Sequence, residues 1–365
     1  MMLGSSEFFV KALVNPRELL PLKQGQWFSL IRYAKRAGLL ARLQVLLEEN
    51  QLIHSAPEPV RAHLESARTV SDNEHRIIWW EINRINRVLE DVADQIILLK
   101  GAAYTALHLP NSKGRISTDV DILMPKELVE KVEKLLLDNG WAHIKLKDYD
   151  QYYYRTWSHE LPPLRHKARK TVLDIHHTIL PLTGRLKPDP QKLIDSAISI
   201  SGLPNKSLSP TDIILHSAAH SFQDGECLRI LRDLIDLDEM IRFYDHQPKF
   251  WEHLVSRAQE LNLTRPLYYG LRYAQKILGT SIPPSIQETV QSWRSPYPAL
   301  ALMDLLVQKS LEAPLYMEKP FTLKGALFFL YIRAHWLRMP FSLLCKHLLY
   351  KKLENMKGKD VNHPL

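Results

Sequence analysis

The 365-residue chain sets 48 Lys+Arg against 40 Asp+Glu, a net charge of +8, with 45% hydrophobic and 24% charged residues. That balance excludes a mainly disordered chain and leaves length for two or three domains of roughly 100–200 residues each. The basic excess favours anionic partners such as phosphates, nucleic acid or acidic lipid, and two cysteines, Cys227 and Cys345, exclude a disulfide framework and suit a reducing, cytoplasmic compartment.

The first residues contain no basic segment leading into a long apolar one, so no signal peptide is expected. No run reaches the ~18 apolar residues of a membrane span. Residues 1–92 read as a helical region. Ile31 to Leu47 places apolar residues at helical spacing with Arg32, Lys35, Arg36 and Arg42 between them, and Glu74 to Val92 is a second long candidate.

Residues 93–187 read as a small α/β core. Ile96 to Leu99 is a buried strand that stops at Lys100-Gly101, and Ala102 to Leu109 suits a short helix. Val120, Ile122 and Leu123 mark a second strand. Lys126 to Asn139 is an amphipathic helix with Gly140 after its end. Trp141 to Trp157 and Thr171 to Ile179 read as further strands.

Residues 188–365 read as helical again. Ser209 caps a helix that continues through Pro210 and Asp212 to about Phe222, and others follow to Leu353. His216 and His220 have the i,i+4 spacing of zinc ligands, yet no glutamate follows His216 and the nearest cysteine is Cys227. Packing, or contact of His220 with substrate, is the preferred reading. Arg229/Asp233 and Arg232/Asp236 read as i,i+4 surface ion pairs, with Asp233 able to reach a cleft. Leu323 to Leu353 mixes aromatic and basic residues. Core packing is the default there, and a peripheral membrane helix is the alternative.

The chemistry rests on Ser117-Thr118-Asp119-Val120-Asp121-Ile122-Leu123. With 40 acids in 365 residues, an acid-x-acid triplet arises by chance about four times, so context decides. Asp148-Tyr149-Asp150 lies in a polar stretch between expected strands, and Asp236-Leu237-Asp238 lies in an expected helix. Asp119 and Asp121 instead open an apolar strand, where i and i+2 share a face. Adjacent carboxylates repel each other, and a divalent cation is a common reason to keep them together. The bland alternative is a pair of acids capping a loop. Asp174, between apolar neighbours in Val172-Leu173-Asp174-Ile175-His176, is the candidate third acid. His176 should share its face, and His177 the other. Arg115 and Ser117 precede the carboxylates, placed either to touch a triphosphate or to sit in a solvated loop.

The order strand–Lys100-Gly101-Ala102–helix, then Thr118-Asp119-Val120-Asp121, then Leu173-Asp174-Ile175-His176, resembles the nucleotidyltransferase superfamily related to DNA polymerase beta. It is closest to the uncharacterised bacterial branch with a Leu-Lys-Gly stretch. Asp212 to His220, Leu231-Arg232-Asp233-Leu234 and Arg333 to Arg338 also resemble that branch.

The resemblance implies an α+β fold, a small mixed-sheet nucleotidyltransferase core flanked by helical N- and C-terminal regions. It implies nucleoside monophosphate transfer from a nucleoside triphosphate to an acceptor hydroxyl, with a surface-polysaccharide pathway as a hint. Asp119, Asp121 and Asp174 would be catalytic and would hold Mg²⁺, with Mn²⁺ as substitute. Lys100, Gly101, Ala102, Arg115 and Ser117 would bind the nucleotide. One departure stands out: many superfamily members have Gly-Ser after the first strand, and here the pair is Gly101-Ala102. That keeps a non-catalytic nucleotide- or partner-binding protein as one alternative. The basic charge keeps a transferase acting on RNA or protein as another.

Overall fold

Short apolar runs supply the strands and longer amphipathic ones the helices in a computed structural model, which describes residues 6–20, 22–144, 148–224, 229–345 and 350. The strands are β1 Ile97–Leu99, β2 Asp119–Leu123, β3 Trp141–His143, β4 Leu164–His166, β5 Val172–His176, β6 Ile198–Ser199 and β7 Lys206–Ser207. They form one mixed sheet in the order β3-β4-β5-β2-β1-β7-β6. β2 is central, antiparallel to β1 and parallel to β5. Val120, Ile122, Leu173 and Ile175 are buried and anchor these strands in the core, each worth about 1.5–3 kcal/mol.

Helices flank the sheet on both chain sides, which makes the class α+β. The long Glu58–Val88 helix packs on the Lys100–Ala106 helix and on β2. Its Glu81 is buried and receives Arg169 at 2.6 and 3.0 Å and Thr171 at 2.9 Å, tying this helix to the β4–β5 turn. On the C-terminal side, Ser209 caps Pro210–Ala219 as expected, its hydroxyl accepting from the Asp212 N–H at 3.3 Å. A π-type turn, His220–Asp224, follows it, and Ile230–Tyr244 is the next helix.

Three expectations change. Ile31 to Leu47 is two helices, Gln24–Ala37 and Leu40–Glu49, because Gly38 takes a left-handed φ of 72° and closes the first one. The Trp141–Trp157 strand ends at His143, and Asp148–Trp157 is a helix. Its aromatic residues suit a strand by propensity, but Tyr153 and Trp157 meet ring to ring at 5.9 Å across one helical turn. Finally, β6 and β7 join the sheet from inside the stretch read as wholly helical. They are two residues each, too short to leave a period in the sequence.

Candidate active site

Sheet register brings the carboxylates together. Asp121 pairs with Asp174 across the parallel β2–β5 ladder, and with Leu99 across β1. Side chains directly opposite one another share a face, so Asp119, Asp121, Asp174 and His176 all point to the same side. Lys100, the residue after Leu99, returns over this face and donates from Nζ to Asp121 Oδ1 at 2.7 Å. His176 Nε2 lies 3.1 Å from the same oxygen and 3.3 Å from Glu160. Glu160 arrives because residues 159–161 run beside β5, with His177 N–H donating to the His159 carbonyl and Leu161 N–H to the Ile175 carbonyl, each at 2.9 Å. His159, Glu160 and His176 thereby bring three ligand atoms within 4.8 Å of one another.

The charges in this cluster are unequal. Burial pushes Asp174 up to about 7, and the Asp121 and Asp119 charges add to it. Burial and Asp121 also raise Asp119. Burial acts the same way on Asp121, but Lys100 and His176 overcome it and hold that carboxyl well below the usual range. For Lys100 burial is outweighed by Asp121 and Glu160, so the ammonium stays charged. One oxygen of Asp174, Oδ1, is buried with no hydrogen-bond partner. The three-ligand group whose atoms already lie within 4.8 Å of one another is His159, Glu160 and His176, and Asp119, Asp121 and Asp174 do not form such a group among the described residues.

A cavity of 220 Å³ opens in front of Asp119 and Asp121. One wall is the turn Lys100-Gly101 with Arg115 to Thr118, and the other is His216, Ser217, His220 and Ser221 with Arg229, Arg232, Asp233 and Asp236. Lys100 has a left-handed φ of 44°, a conformation costing a non-glycine residue roughly 1–2 kcal/mol. Gly101 is needed for close approach. A methyl there would stand 2.7 Å from Ser117 Cβ and 2.8 Å from Arg115 Nη1.

Arg115 is largely shielded, its side chain 13% exposed. It donates to Asp236 Oδ2 at 2.9 Å and to the Ser117 hydroxyl, and lies 5.3 Å over the Tyr104 ring. The i,i+4 pairing of Arg232 with Asp236 is therefore replaced. Asp236 turns inward to Arg115, and Arg232 donates to neighbouring Asp233 at 3.0 Å. Arg229 is the N-cap of the Ile230–Tyr244 helix, its carbonyl accepting from the Asp233 N–H at 3.1 Å, and it lines the cavity together with Asp233.

Of the residues named from the sequence, Lys100, Gly101, Arg115, Ser117, Asp119, Asp121, His220 and Asp233 line the cavity. Asp174 and His176 stand beside it, within the carboxylate cluster, and Ala102 is buried in the core. Burial, Lys100 and His220 hold His216 well below its ordinary pKa, so it is neutral near pH 7. His216 and His220 join no three-ligand group among the described residues, and Cys227 lies outside them. Sequence reasoning missed Glu160 and His159, adjacent residues in a loop with no spacing signal. It also missed the inward role of Asp236.

Asp174 gives a pH prediction. Its folded-state pKa of about 7 lies above the ordinary carboxyl value, so the folded chain keeps a proton that the unfolded chain releases near pH 4. Stability from this group is present at low pH and is lost as pH rises from about 4 to about 7. In EDTA at pH 8, Asp174→Asn is expected to melt several degrees above wild type, a gain on the order of a few kcal/mol. The two should converge near pH 4.5. Melting curves at both pH values check this, and a variant less stable than wild type at pH 8 contradicts it.

A family model described as an uncharacterised nucleotidyltransferase matches residues 23–279, more than half of the chain and all of the sheet and cavity. Comparison with the curated proteins and with the solved structures finds no match. No helix among the described residues is long and apolar enough to cross a membrane.

Proposed function

The chain belongs to the uncharacterised nucleotidyltransferase family, and from that premise we propose that it moves a nucleoside monophosphate from a nucleoside triphosphate to an acceptor hydroxyl, with Mg²⁺ as cofactor. The observation that carries this reading is the alignment of Asp119, Asp121 and Asp174 on one sheet face, with the free buried oxygen of Asp174. Asp119, Asp121 and Asp174 would hold the cation. Bound there, Mg²⁺ would polarise the α-phosphate and offset charge on the departing pyrophosphate.

The chain's own residues have distinct tasks. The acceptor oxygen forms a bond to the α-phosphorus as the bond to the bridging oxygen of pyrophosphate breaks. Asp174, on the same face as Asp121, would orient the acceptor hydroxyl and receive its proton. Lys100 stands at the turn as a point charge for the phosphates, and Arg229 and Arg232 line the opposite wall. At 220 Å³ the cavity is below the roughly 300–1,000 Å³ of ordinary ligand pockets. It suits the polyphosphate, with base and sugar further out. The missing serine after Gly101 has a counterpart: Ser117 brings its hydroxyl to Gly101 from the facing loop. That favours a working phosphate turn over a site that merely keeps the fold.

Calorimetric titration with each of the four nucleoside triphosphates tests this. At least one is expected to bind, at least about tenfold tighter in Mg²⁺ than in EDTA. Absence of binding to all four by a folded sample would overturn the reading.

A further inference from the structure

The Phe321–Arg338 helix is apolar on two opposite sides. Its inner side, Leu323, Ala326, Leu330 and Ala334, is buried against the Tyr297–Glu312 helix and the His220–Asp224 turn. At roughly 100° per residue, Phe321, Phe328, Phe329 and Trp336 fall on one stripe of the other side. They are 88%, 59%, 57% and 43% exposed. Phe341, 62% exposed, meets Trp336 at 6.1 Å between ring centroids and prolongs the stripe past the helix end. Met317, four residues before the helix, is 87% exposed. An outward aromatic row of this length is not explained by core packing.

The charge around the row selects its partner. From Lys319 through Arg338 the chain has no aspartate or glutamate, while Lys319, Lys324, Arg333 and Arg338 fall there; Glu318 stands just before them. A second copy of the chain would bring the same positive charge against itself. A surface with an apolar interior and negative headgroups matches both features. We propose that this face docks on an anionic lipid bilayer, with the Phe321–Arg338 helix lying in the interfacial plane. The length and hydropathy of that helix do not allow it to span. Docking would set the active-site cavity close to the lipid: Arg333 donates to the Phe222 carbonyl at 2.8 Å, inside the turn whose first residues, His220 and Ser221, line the cavity. The proposal stands independently of nucleotidyl transfer.

Flotation of the full chain with vesicles tests it. The chain is expected to float with phosphatidylcholine vesicles containing phosphatidylglycerol, at least about tenfold more than with phosphatidylcholine alone, and less at high salt. Phe328→Ser/Phe329→Ser, at exposed positions, should lose at least about tenfold of that binding with unchanged melting. Lys319→Glu/Lys324→Glu should lose the preference for anionic vesicles and provides a second variant should the serine pair misfold. A wild-type chain that floats with neither vesicle, or a folded serine variant that floats like wild type, overturns the proposal. So does a wild-type dimer that fails to float and dissociates in the serine variant, since the occupant is then a second copy.

Discussion

Asp121→Asn is expected to reduce Mg²⁺-dependent nucleotidyl transfer by roughly a hundredfold to a thousandfold, the range that losing one transition-state charge contact costs, while the chain still folds. Asp121 is 2% exposed, and its carboxylate is the common partner of Lys100 and His176. Asn keeps the shape but removes the charge on which a cation at this face depends. The fold survives because the cluster has a reserve. Without the Asp121 charge, Asp174 loses a main cause of its raised pKa and ionises more readily. Its carboxylate and Glu160, both acting on Lys100, then balance the buried ammonium. Transfer from α-phosphate-labelled nucleoside triphosphate to acceptors in a cell extract measures the effect, with melting curves as the control. Asp119→Asn should fail similarly. Transfer within about tenfold of wild type in both variants would remove the carboxylates from the mechanism.

Much of this site is legible from local spacing. The two aspartates of β2 share a face because strand side chains alternate, and the apolar residues between them mark the strand. Asp174 is legible for the same reason, but its position beside Asp121 depends on β2 and β5 pairing in parallel at one register. Two apolar runs suggest that pairing without specifying it. The far wall of the cavity is less legible. Asp236 follows Arg232 by four residues, which satisfies a local rule, yet its partner is Arg115, 121 residues away. Helical periodicity says which side of Ile230–Tyr244 is apolar, and cannot say which buried cation waits opposite. The Gly101-Ala102 departure has the same cause. A pattern read along the chain looks for the next residue's hydroxyl, whereas Ser117 approaches across space. The aromatic row of Phe321–Arg338 is only half legible: the mixture of aromatic and basic residues leaves both core packing and a peripheral membrane helix open, because apolar residues on two sides of a helix mimic a fully buried one.

The pairing of Arg115 with Asp236 predicts a large stability effect. Their side chains are 13% and 7% exposed; for Arg115 burial is outweighed by Asp236, while burial raises the Asp236 carboxyl in spite of Arg115 and Arg232. Asp236→Ala leaves the Arg115 charge buried without its carboxylate, a loss of about 3–5 kcal/mol for such pairs. The Ser117 hydroxyl and the Tyr104 ring remain as contacts, but neither carries a negative charge. The backbone suffers too. The Arg115 carbonyl accepts from His75 at 3.1 Å, so the same residue joins the loop before β2 to the Glu58–Val88 helix and, through Asp236, to Ile230–Tyr244. Loosening it should also displace Ser117 from Gly101, and nucleotide binding should weaken by tenfold or more even at temperatures where the variant is folded. Replacing both partners, Arg115→Met with Asp236→Leu, removes the uncompensated charge and should recover most of the stability but none of the binding. Urea unfolding of the single and double variants, with nucleotide titration on each, separates the two effects. A single variant less than about 1 kcal/mol below wild type would mean that water or Asp233 already balances Arg115, and the pair would then be incidental to both fold and site.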